Sequence, residues 1–135
     1  MPTDAPSAPP PSAPSHATKP TSRLVASDRV EGAAVYARDG HKLGTVRSFI
    51  IDRISGQIVF VVMSVGGFLG LGQKYHPLPW DMLAYDEFKD GYVINFDLDM
   101  LHGSPSYRPD DAPEFDEAYG QRIATYYMPS RKADY

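Results

Sequence analysis

Two periodicities run along this chain and predict different structures. Between Tyr92 and Phe96, apolar Tyr92, Ile94 and Phe96 alternate with Val93 and Asn95, the period-two pattern of a strand with one buried face. Ile58 to Met63 is apolar without a break, which predicts a strand buried on both faces. Ala33–Ala37, Leu43–Asp52 and Leu78–Leu83 read as further strands, with His76-Pro77-Leu78-Pro79-Trp80 an extended entry into the last. Near the end of the chain the period changes. Phe115, Tyr119, Ile123 and Tyr127 recur every four residues, with Ala118 and Tyr126 beside them, and predict an amphipathic helix. Pro113 suits its first turn, the acids Glu114, Asp116 and Glu117 suit the positive end of its dipole, and Pro129 stops it.

Turn signals separate the strands. Asp39-Gly40 is the strongest hairpin signal, and Arg53-Ile54-Ser55-Gly56 and Phe88-Lys89-Asp90-Gly91 are two more. Ser27 to Gly32 reads as one helical turn capped by Asp28, and Leu98 to Leu101 as another. Five or six short strands with a turn about every ten residues describe a mainly β protein, a small antiparallel barrel followed by a helix. One stretch fits neither pattern. Gly66 to Tyr75 mixes the apolar Phe68, Leu69 and Leu71 with four glycines, an apolar loop rather than an element.

Composition sets the domain limits. Residues 1–22 hold seven of the thirteen prolines and no Val, Ile, Leu, Phe, Tyr or Trp, so they read as a disordered tail. Residues 23–108 form the barrel and 109–135 the helical extension. The tail lacks the basic start and apolar run of a secretory signal, and no apolar run approaches the roughly 20 residues that span a bilayer. These features predict a soluble, cytoplasmic protein. Cysteine is absent, which removes disulfides and thiolate metal sites. The formal charge of −4 disfavours a nucleic-acid module, and six acids against three bases after Pro109 carry most of it.

The hairpin VYARDGHKLGTV, its continuation IIDRISGQIVFVVMSVGGFLGLGQKYHPLPW and the strand YVINF resemble the PRC-barrel domain, named for the cytoplasmic part of the photosynthetic reaction-centre H subunit. The resemblance covers residues 24 to 108; Ser104–Tyr107 and the final helix look like extensions of stand-alone bacterial members. It implies an adaptor or binding barrel with no catalytic residues to carry over. Another relative forms the C-terminal domain of a ribosome-maturation factor, which implies an RNA-processing or ribosome-assembly role as the alternative.

Motifs for chemistry are missing at the level of spacing. The glycine run fails the phosphate-loop pattern because Gln73 follows Gly72 and Tyr75 follows Lys74. The four histidines have no ligand spacing, no nucleophile elbow is present, and the Asp97–Asp99 region opens no calcium loop. No cofactor or metal is expected. The aromatic surplus points instead to protein contact, with Phe68, Leu69, Leu71, Tyr75, Tyr119, Ile123 and Tyr127 as the candidate surface and a homodimer or another protein as partner. The helical stripe has two readings, a cover for its own barrel or a dimer interface. His76 and Trp80, with Tyr75, would line the barrel mouth if a small ligand bound there. Asp52 reads as a turn former.

Overall fold

The computed structural model describes residues 23–66 and 72–128. Six strands form one sheet: β1 (Ala34–Tyr36), β2 (Lys42–Ile51), β3 (Ile58–Val65), β4 (Lys74–Pro79), β5 (Leu83–Asp86) and β6 (Gly91–Ile94), in the spatial order β4-β3-β2-β1-β6-β5. A short helix α1 (Ser27–Val30) precedes the sheet; α2 (Leu98–His102) and α3 (Glu117–Tyr127) follow it. The two strands at opposite ends of the sheet, β4 and β5, are consecutive in the chain and joined only by the 3-10 turn Trp80–Met82. The sheet therefore curls into a half-barrel whose two edge strands come together at that turn without pairing.

The predicted turns form where their residues demand. Gly40 (φ 94°) and Gly56 (φ 79°) adopt the left-handed conformation that lacks a Cβ penalty. Asp52 Oδ1 accepts from the Ile54 and Ser55 amides, and Asp86 Oδ1 accepts from those of Phe88 and Lys89. The Ile54 and Ser55 amides also hold the Asp52 carboxyl below its ordinary pKa.

Four expectations change. β1 and β6 pair in parallel, Val35 with Tyr92 and Tyr36 with Val93, so the sheet is not wholly antiparallel. The strand expected over Leu78–Leu83 is two strands and a turn: ladder pairing with β3 begins at Lys74, so the prolines lie inside β4. Asp28 does not cap α1, whose cap position is Ala26. Finally, α3 begins at Glu117, not near Pro113, because the Asp116 carboxylate accepts from the Tyr119 amide at 2.9 Å and makes the better cap.

The prolines of β4 have a backbone reason. Tyr75 directs both its N–H and its C=O away from β3, to Tyr107, at 2.8 and 3.0 Å. Strand alternation then aims positions 77 and 79 outward as well, and proline has no N–H to leave unpaired there. β3 lies between β2 and β4 with Phe60, Val61, Val62 and Met63 all buried, as its unbroken apolar run predicts. Val35, Val46, Leu78, Ile94, Leu101, Ile123 and Tyr127 complete one core, so α3 packs its apolar side against the sheet that precedes it.

Gly44 is the tightest point in this packing. A Cβ there would lie 1.9 Å from the Ser64 carbonyl oxygen, a backbone atom that cannot rotate away. Gly44→Ala is expected to cost about 2–3 kcal/mol through forced separation of β2 and β3. Urea unfolding monitored by Trp80 fluorescence measures it, and an unchanged midpoint would refute the close approach.

Candidate functional site: an aromatic belt between barrel and extension

Four half-buried rings form a continuous row across the outer edge of β4. Tyr75 of β4 meets Tyr107 edge-on at 5.5 Å, Tyr107 meets Phe115 at 6.2 Å, and Phe115 meets Tyr119 of α3 at 5.0 Å. Edge-to-face contacts of this kind are favourable beyond simple burial. A guanidinium closes each end: Arg47 lies 5.4 Å from the Tyr75 ring centroid and Arg122 lies 5.8 Å from that of Tyr119. Arg47 reaches this position because it is an extra residue in β2. Val46 pairs with Met63 and Ser48 with Val62, which leaves Arg47 without a partner on β3 and re-aims its side chain. Burial pushes the Tyr107 and Tyr119 phenols above their ordinary pKa, so the belt presents neutral rings.

The belt contains Tyr75 and Tyr119 from the predicted surface, and the structure brings them together through Tyr107 and Phe115. Phe68, Leu69 and Leu71 lie outside the described residues, in the segment that leads into β4. Ile123 and Tyr127 are placed differently. They are 0% and 4% exposed and pack into the chain's own core, so the helical stripe is a cover for this barrel and those two residues are not surface. Tyr107, Arg47 and Arg122 had no distinguishing signal in the sequence.

The suggested mouth residues do not converge. Trp80 packs in a separate row with Phe49 at 5.5 Å and Tyr92 at 5.7 Å, and Tyr92 meets Tyr85 at 5.4 Å. His76 points inward, the opposite way from Tyr75, and is 5% exposed. Its Nδ1 lies 2.9 Å from the Ser104 hydroxyl, so the fold pairs a histidine with a serine that the sequence separates by 28 positions. The polarity of the pair is wrong for nucleophilic catalysis. Ser104 Oγ donates its single proton to the Leu101 carbonyl at 2.7 Å, and must therefore accept from His76 Nδ1–H. No set of three metal-ligating side chains gathers among the described residues. Among the same residues, no helix is long and apolar enough to cross a membrane.

With this geometry in view, comparison with family models matches residues 23–101 to the PRC-barrel domain. The chain belongs to the PRC-barrel family. No match to a curated protein was found. The family match ends before Tyr107, Phe115 and Tyr119. The belt is thus shared between the matched PRC barrel, which supplies Tyr75 and Arg47, and the chain beyond the match, which supplies the rest.

Two measurements test the buried polar groups beneath the belt. Burial, reinforced by the positive charges of Lys74 and His102, lowers the His76 imidazole from 6.5 to about 4. The unfolded chain therefore takes up this proton below pH 6.5, while the folded chain resists it until about 4. His76 contributes its full stability above pH 6.5 and loses it as pH falls towards 4, about 3 kcal/mol in all. Urea unfolding between pH 7 and 4.5 is expected to show this slope, and His76→Gln to flatten it; an equal slope in both proteins would contradict the assignment. The Tyr127 hydroxyl is buried beside Ser104 but outside hydrogen-bond geometry, and desolvation pushes its pKa up to about 12 although Ser104 draws it down. Tyr127→Phe is expected to leave stability unchanged or raise it by about 1 kcal/mol, since an unsatisfied buried group is removed. A comparable loss in the same unfolding assay would show that the hydroxyl is bonded.

Proposed function

We propose that this PRC-barrel protein is a non-enzymatic contact module that grips another protein through the aromatic belt, with the apolar sequence 67–71 that precedes β4 contributing to the contact. The observation that carries this reading is the row Tyr75–Tyr107–Phe115–Tyr119, half-buried and closed at each end by an arginine. Tyrosine and arginine are residue types that concentrate binding energy at protein interfaces, tyrosine through a large rigid ring and arginine through a planar, multi-donor guanidinium. The loop adds Phe68, Leu69 and Leu71 directly before β4. A protein partner is favoured over RNA because the chain around Phe115 carries Asp110, Asp111, Glu114, Asp116 and Glu117, which repel phosphate. A two-fold dimer through Tyr119, Ile123 and Tyr127 is not part of this reading, since two of its three residues are core.

Site-specific photocrosslinking in cells tests the surface. Crosslinkers at positions 68 and 122 are expected to capture one common protein, whereas crosslinkers at Ile54 and Phe88, exposed turn residues elsewhere, are expected not to. Phe68→Ser and Leu71→Ser should abolish capture from position 122 while leaving the melting temperature unchanged. Equal capture from the control turns, or capture that survives both substitutions, would remove the belt as the contact surface.

A further inference from the structure

The belt has a candidate ligand within the same chain. Residues 1–22 contain Pro6-Ser7-Ala8-Pro9 and Pro11-Ser12-Ala13-Pro14, the same four residues twice, on either side of Pro10. Proline at every third position favours the polyproline II helix, which has three residues per turn and so sets both prolines of each quartet along one edge, about 9 Å apart. Aromatic rows rich in tyrosine are the surfaces that take such edges, because the helix is already ordered and exposes its carbonyls. The two-ring step from Tyr75 through Tyr107 to Phe115, with centroid gaps of 5.5 and 6.2 Å, is of matching scale.

We infer that the belt is occupied by the proline-rich N-terminal segment of the same molecule, which competes with the external partner. The inference rests on reading the belt as a contact surface, and three further observations support it. First, ten residues after the segment ends the chain joins the sheet next to Arg47: the Gly32 amide donates to the Val46 carbonyl at 2.8 Å and the Val46 amide to the Ala33 carbonyl at 2.9 Å. The next residue, Arg47, is the guanidinium over Tyr75. Second, the reach is ample. Twenty-two residues of polyproline II extend about 70 Å, against a radius of gyration of about 13 Å for a domain of this size. Third, Asp4 and Lys19 are the only acid and base of the segment, so the acidic stretch around Phe115 does not repel it. Tethering supplies a local concentration in the millimolar range, enough to hold a short segment whose free form binds weakly.

The absence of cysteine makes the test clean. A nitroxide attached to Ser12→Cys in the full-length, isotope-labelled protein is expected to broaden the resonances of Tyr75, Tyr107, Phe115 and Tyr119 several-fold more than those of Ile54 and Phe88. Replacing Pro6, Pro9, Pro11 and Pro14 by Ala, changes remote from the folded core, should abolish that preference. A mixture of isotope-labelled protein without nitroxide and nitroxide-bearing protein without isotope should show none, as contact within one molecule requires. Equal broadening at belt and turns, broadening that survives the proline substitutions, or broadening in the mixture would each overturn the inference. The readout reports only the tail, so its failure leaves the crosslinking result for an external partner intact.

Discussion

The barrel depends on a seam two residues long, where Val35 and Tyr36 of β1 lie parallel to Tyr92 and Val93 of β6. On one side stands the antiparallel run β1 to β4; on the other is only the β5–β6 hairpin, too small to be stable alone. The seam makes them one sheet. It needs close backbone approach, and Gly91 allows it: a Cβ there would stand 2.7 Å from the Ala34 carbonyl oxygen. Val35, fully buried at the join, ties the seam to the core formed with Tyr92 and Ile94. Its partners lie far apart in sequence, so its closure entropy must be offset by the core it completes.

Closure at the other side uses a bend instead of a ladder, and that leaves the outer edge of β4 to be managed. Pro77 and Pro79 remove two amides from it, and Tyr107 takes both backbone groups of Tyr75. α3 covers what remains, with Ile123 and Tyr127 in the core and the Tyr126 hydroxyl donating to the Met100 carbonyl at 2.6 Å. Beneath it, His76, Ser104 and Leu101 form a directed chain of hydrogen bonds from β4 through Ser104 to α2. The extension therefore completes this barrel, and an edge free to recruit a stray strand is capped.

The same arrangement creates the belt. Tyr107 must pair with Tyr75 for backbone reasons, and Phe115 precedes the Asp116 cap that starts α3, so both rings are delivered to the β4 edge by the local structure around them. Arg47 arrives by a bulge in β2 and Arg122 by its position on α3. The PRC barrel alone supplies one ring and one guanidinium. The surface is composed jointly by the family's fold and the chain beyond the match, whose helix also adds Ile123 and Tyr127 to the core.

What the sequence determined by itself was whatever depends on neighbours in the chain. Asp39-Gly40, Asp52 with Gly56, and Asp86 form turns through their own side chains and backbone freedom. The alternation at Tyr92–Phe96 and the unbroken run at Ile58–Met63 identify strands because burial follows period. The family resemblance, carried by a long stretch of such local signals, was readable for the same reason. The start of α3 was misplaced, since Pro113 and Asp116 are both acceptable helix beginnings and only the Tyr119 amide at Asp116 selects between them. Tertiary structure alone decided the parallel β1–β6 seam, the inward turn of Ile123 and Tyr127, and the meeting of Tyr75 with Tyr107, Phe115 and Tyr119. Each is a pairing between residues distant in sequence, chosen by the fit of surfaces that exist only once the sheet has curled.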